Sequence, residues 1–123
     1  MSDAPSRDVI VDVIERYVEA VDRKAVDETV ALFAPDAVLR EPWGIAEYRG
    51  HEEIRSFYAK SANAPFRVSL HTPITVLGRY ANMMLRVQVE GREPFASADI
   101  FEFNTDGTIA MMSAIPDPQA TAH

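Results

Sequence analysis

The chain has 123 residues, 47% of them hydrophobic, and a formal net charge of −7 at neutral pH. That is enough apolar material for one domain with a real core and too little for two. Twelve Lys and Arg against 19 Asp and Glu do not supply the clustered basic surface that phosphate binding needs, so nucleic acid is set aside as a partner. With no cysteine there is neither a disulfide framework nor a thiolate metal site. The segment from Met1 to Asp8 lacks the apolar core of a signal peptide, and no apolar run is long enough to span a bilayer. The expectation is a single cytoplasmic domain over residues 1–123, with loose ends at about 1–6 and 117–123.

Helices come first. Ser6 is placed to cap a helix in which Val9, Ile10, Val13, Ile14, Tyr17, Val18 and Val21 recur on one broad face. Tyr17 therefore lies inside an apolar stripe. A second, shorter helix is predicted from about Ala25 to Phe33, ending before Pro35, with Val26, Val30 and Phe33 inward. Ala37 to Glu41 reads as a short strand ended by Pro42, with Glu41 on the face of Ala37 and Leu39. After Gly50 a third helix is expected, since Ile54, Phe57 and Tyr58 fall at i, i+3 and i+4.

From Phe66 the period changes to two. Phe66–Leu70, Ile74–Leu77, Met83–Val89, Phe95–Phe103 and Ile109–Ile115 read as strands, separated in the later chain by turn residues at Gly78, Gly91 and Asn104 to Gly107. Three helices in the N-terminal half followed by a run of adjacent strands specify an α+β domain, in which a curved antiparallel sheet closes over its helices as a cone.

Three polar groups interrupt the apolar patterns. Asp99 shares a strand face with Phe95, Ser97, Phe101 and Phe103, which is where core residues belong. A carboxylate there must be paired or take up a proton, because an unpaired buried anion is far costlier than an upward pKa shift. A protonated acid in an apolar cavity is a hydrogen-bond donor; capping of Asp99 by an arginine or by backbone amides is the alternative. Tyr17 and Glu41 face the same interior. Three such groups from distant segments outline a ligand pocket with a few convergent polar atoms. The plainer alternatives are a core tyrosine satisfied by a carbonyl and an ion pair of Glu41 with Arg40, Arg49 or Arg55.

His51 and His71 read as surface histidines, and no histidine pair has metal-ligand spacing. Met83, Met84, Met111 and Met112 offer soft surface that could mould around a flat hydrophobic ligand, or simply fill the core. Trp43 stands beside Glu41, as a lining of the pocket mouth or as a sheet-edge aromatic.

Several runs together resemble the bacterial Δ5-3-ketosteroid isomerases of the nuclear-transport-factor-2-like, or SnoaL-like, superfamily. They are Arg16-Tyr17-Val18, Val30 to Ala34, Glu41-Pro42-Trp43-Gly44, Arg49-Gly50, Ile54 to Tyr58, and Asp99 to Asn104. The resemblance covers nearly the whole chain. It implies a proton transfer through a dienolate, without cofactor or metal, on a small hydrophobic ketone resembling a steroid. Glu41 would stand in place of the base, Tyr17 and the protonated Asp99 would donate to the enolate oxygen, and Tyr58 would hydrogen-bond behind Tyr17. Trp43, Phe57, Met84, Phe101 and Met112 would contact the substrate, and the protein would be a homodimer with no membrane partner. Four departures stand out. The base is a glutamate where the family has aspartate, Trp43 stands where smaller residues are common beside the base, Phe33 stands where some members have a tyrosine, and Pro116 falls where members often place an aromatic. Polyketide cyclases or dehydratases and non-catalytic ligand-binding modules share this fold and remain alternatives.

Overall fold

In a computed structural model that describes residues 4–123, α1 runs from Arg7 to Asp22. The Ser6 hydroxyl accepts from the Val9 amide at 3.3 Å, satisfying one of the donors that a helix start leaves open. Ile10, Ile14, Tyr17 and Val18 are its buried face. Residues 1–3 of the N-terminal end expected to be loose lie outside the described residues.

The second helix, α2, covers only Val26–Ala31, and Phe33 opens strand β1 (Phe33–Arg40) instead of ending the helix. Pro35 disfavours helical geometry at Ala34, and the chain turns extended one residue earlier still. The register of β1 shifts between Phe33 and Val38, which absorbs Pro35 and Asp36. A three-residue strand β2 (Glu47–Arg49), unanticipated from the sequence, leads into α3 (Gly50–Ser61). Gly50 enters that helix at a φ of +80°, where a side chain would be strained.

Strands β3 (Phe66–Leu70), β4 (Thr75–Leu77), β5 (Tyr80–Val89), β6 (Phe95–Phe103) and β7 (Ile109–Thr121) complete a curved, open sheet of order β2-β1-β7-β6-β5-β3, with β4 also paired to β5. The sheet is mixed where an antiparallel one was expected: β1 lies parallel to β7. Strands joined by short turns are antiparallel, but β1 and β7 are separated by most of the chain, and a long crossover permits parallel pairing.

Residues 117–121 also depart from expectation, since β7 continues through Pro116 to Thr121. Asp117 pairs with Ala96 and Thr121 with Phe95, and Ala122 is buried with its amide on Pro94 O at 3.0 Å. Pairing of β1 to β7 ends at Arg40 and Ser113. Beyond that point β7 is an edge strand, where prolines are tolerated. Phe33, Phe101, Phe103, Ile10, Ile14, Leu39 and Ile54 form the fully buried centre between helices and sheet. No helix among the described residues is long and apolar enough to cross a membrane.

Candidate active site

Between α1, α3 and the inner faces of β5 and β6 lies a cavity of about 280 Å³. Alternation along β5 turns Leu85, Val87 and Val89 into it, and α3 contributes Phe57. Tyr17, Tyr58, Glu41, Ser97 and Asp99 bring polar atoms to these apolar walls.

Tyr17 is held by aromatic edges. Its ring meets Phe33, Tyr58 and Phe101 at 6.2, 6.2 and 5.6 Å between centroids, each close to perpendicular, the geometry that ring quadrupoles favour. Its hydroxyl lies 2.6 Å from that of Tyr58, and the Tyr58 hydroxyl also stands 3.8 Å from Met112 Sδ. Either hydroxyl can donate within that pair, and Tyr58 has Met112 Sδ as a second, weaker acceptor. When Tyr58 donates to Tyr17, the Tyr17 hydrogen is free for a ligand in the cavity. Burial is the first cause that keeps both phenols protonated, their pKa values lying well above the ordinary one, and the Asp99 and Glu41 charges act in the same direction.

Asp99 is 1% exposed, and its partner is the Ser97 hydroxyl, which donates to Oδ1 at 2.9 Å. Burial pushes the Asp99 pKa up to about 7, against the opposing pull of that hydrogen bond. Glu41 follows β1 and lines the cavity from a half-buried position. Burial, reinforced by the Asp99 charge, raises it to about 8. The arginines that could have paired with Glu41 are engaged elsewhere: Arg40 and Arg49 with Glu47, and Arg55 with Asp27. Among the described residues neither cavity carboxyl has a cationic partner. Near neutral pH the pair therefore keeps about one proton between them, because two carboxylates in one dry cavity do not readily ionise together.

The structure thus brings together Tyr17, Glu41, Asp99 and Tyr58, with Phe57 on the wall. It does not place the other four expected ligand contacts there. Trp43 is 48% exposed in the turn after Glu41, its amide on Ala114 O, and borders a separate surface depression. Met84 alternates to the opposite face of β5 from Met83 and Leu85. Phe101 and Met112 are fully buried beneath the cavity, where they support Tyr17 and Tyr58. Pro116 does line the cavity, as do Ser97, Phe95 and the apolar residues of β5, which strand alternation alone could have found.

The sequence profile of the SnoaL-like domain family matches residues 14–112. The chain belongs to the SnoaL-like family, within the nuclear-transport-factor-2-like superfamily. It is also 32% identical over 108 residues to the Steroid Delta-isomerase of Nocardioides simplex, a match spanning 85% of this chain and 87% of that protein.

Proposed function

We propose that this SnoaL-like protein is a steroid Δ-isomerase that moves the C5–C6 double bond of a 3-oxo-Δ5-steroid into conjugation with the ketone. Ionised Glu41 takes a proton from the carbon between ketone and double bond. The resulting dienolate holds its negative charge on an oxygen that accepts from Tyr17 and protonated Asp99, and Glu41 returns the proton at the far end of the conjugated system. The proton shared by the carboxyl pair must then reside on Asp99. A ligand oxygen favours that arrangement, because it accepts from Asp99 only when Asp99 is protonated.

The observation that carries this reading is the convergence of two buried donors, Tyr17 and Asp99, with a third group able to act as base, Glu41, in one apolar cavity. The likeness to a steroid isomerase supports the substrate class. We infer, too, that the protein is a homodimer, and equilibrium sedimentation tests it: a single species at monomer mass sinks that part. For the reaction, purified protein is incubated with a 3-oxo-Δ5-steroid while the ultraviolet absorbance of the conjugated enone is followed. Enzyme-dependent growth of that band supports the assignment. A flat trace from folded protein overturns it and leaves the cyclase and ligand-binding alternatives.

A further inference from the structure

Ser97 and Asp99 stand two residues apart on the inner face of β6, opposite Leu85 and Met83 of β5 and Pro116 and Ala114 of β7. Both are buried, at 3% and 1% exposure, and both line the cavity. Their neighbours on these strands are apolar, so the Ser97 hydroxyl has no packing role that alanine or valine would not fill. Its hydrogen goes to Asp99 Oδ1.

A carboxylic acid has one good acceptor, its carbonyl oxygen, because the other oxygen bears the hydrogen. A donor fixed on Oδ1 therefore designates Oδ1 as the carbonyl and leaves Oδ2 to carry the proton. We propose that Ser97 is a positioning residue that fixes the Asp99 carboxyl by its Oδ1 and so makes Oδ2–H the donor presented to the ligand oxygen. The proposal rests on the isomerase reading, and it adds a residue that the reading does not require.

The titratable groups facing Asp99 are Tyr17 from α1, Glu41 after β1 and Tyr58 from α3. The cross-strand neighbours Met83 and Ala114 do not titrate. Both tyrosines keep their protons across the working range, so the charge that changes beside Asp99 is that of Glu41. Because a hydrogen bond to a carboxylate favours the ionised form, Ser97 acts in opposite directions on the two requirements of a donor. It improves the aim of the Asp99 proton and loosens its hold.

The test uses protein labelled with ¹³C at aspartate carboxyls, as wild type, Ser97→Ala and Ser97→Thr, together with calorimetric binding of estradiol, whose phenol mimics the dienolate oxygen. In Ser97→Ala the Asp99 transition is expected to move up by about one unit, a tenfold change in proton affinity for one lost hydrogen bond to a charged oxygen. Ser97→Thr keeps the hydroxyl and the wild-type transition. At about pH 5, where Asp99 is protonated in every variant, estradiol binding weakens about tenfold in Ser97→Ala and recovers in Ser97→Thr. An Asp99 transition unmoved in folded Ser97→Ala overturns the proposal, and so does undiminished estradiol affinity at the acid pH. Failure of the isomerase reading shows separately, as wild-type protein that neither binds estradiol nor turns over a 3-oxo-Δ5-steroid. In that event the titration still decides whether Ser97 fixes Asp99.

Discussion

Phe101 and Phe103 at one end of β6, and Phe95, Ser97 and Asp99 at the other, lie on the same face of the same strand, and all five are buried. The first pair stack at 6.1 Å between centroids in the solid centre of the domain. The other three border the cavity. Equal burial thus conceals two physical situations. Side chains in the first half have partner atoms on every side and contribute dispersion energy in proportion. Those in the second half also border the cavity, and the interactions they lack there are available to a ligand. Between the packed pair and Phe95 the inward face carries a serine and an acid, so polarity on that face marks where packing gives way to the cavity.

The comparison breaks most visibly at the base. Glu41→Gln keeps the shape of the cavity half but cannot accept a proton, and isomerisation should fall by about 10²–10⁴-fold with the fold intact. Glu41→Asp should retain activity or raise it, since it restores the aspartate that the ketosteroid isomerases use. Wild-type turnover by Glu41→Gln would move the base to another carboxyl.

The packed half is tested next. Phe101→Ala should lower unfolding stability by about 3–5 kcal/mol. Phe95→Ala, whose ring already borders a void, should lower it by only about 1–2 kcal/mol while weakening binding of a phenolic steroid. Urea titrations that return equal losses for the two variants would erase the distinction between the halves.

Asp99→Ala removes one of two donors and should reduce turnover by roughly 10²–10³-fold. Asp99→Asn, whose amide still donates, should lose much less. The pH–rate profile should be bell-shaped and belong to the carboxyl pair. At low pH both acids are protonated and the base is lost, whereas at high pH the last proton leaves and the Asp99 donor is lost. Equal inactivity of folded Asp99→Ala and Asp99→Asn would remove the donor role.

The last expected effect concerns stability against pH. Asp99 is raised to about 7 in the folded protein, from about 4 in an unfolded chain. Between those values the native state binds more protons than the unfolded state, so stability falls as pH rises from about 4 to about 7 and the loss is complete above that range. Asp99→Asn should match wild type near pH 4 and exceed its stability at alkaline pH by on the order of 4 kcal/mol. Parallel stability curves for the two proteins would show that Asp99 does not resist ionisation.

Much of this architecture is legible in residue patterns, because long periodic segments bury one face and the period names the element. The α1 stripe from Ile10 to Val18 and the alternation from Phe95 to Phe103 are such cases. The three polar residues that interrupt these faces, Tyr17, Glu41 and Asp99, meet in one cavity for the same reason. What was not legible depended on partners distant in sequence. Glu47–Arg49 has too few residues to show a period, and it is a strand only because Val38 to Arg40 lie alongside. Pro116 and Pro118 read as the end of order, although an edge with no partner for their missing donors suits them. Met84, Phe101 and Met112 were plausible ligand contacts by chemistry. One residue of strand phase puts Met84 on the opposite face, and depth places the other two under the floor.

The last turn of α1 gives the helix a further property. Asp22 accepts two hydrogen bonds from Arg67, at 2.9 and 2.8 Å, and a third from the Val68 amide at 2.9 Å. Two residues on, the Lys24 ammonium holds Phe66 O at 2.7 Å and sits 4.2 Å from the centre of that ring. Three successive residues of β3, among them the cavity residues Phe66 and Val68, are thereby bolted to the helix that carries Tyr17. From Tyr17 to Asp22 an α-helix advances about 7.5 Å, and the helix is stiff along its axis. It fixes where the Tyr17 phenol stands relative to the β3 residues Phe66 and Val68 that line the cavity. Inserting a single residue into that interval would turn Tyr17 by about 100° relative to the bolt. Such a chain would spoil the aim of the donor while every strand of the sheet stayed in register.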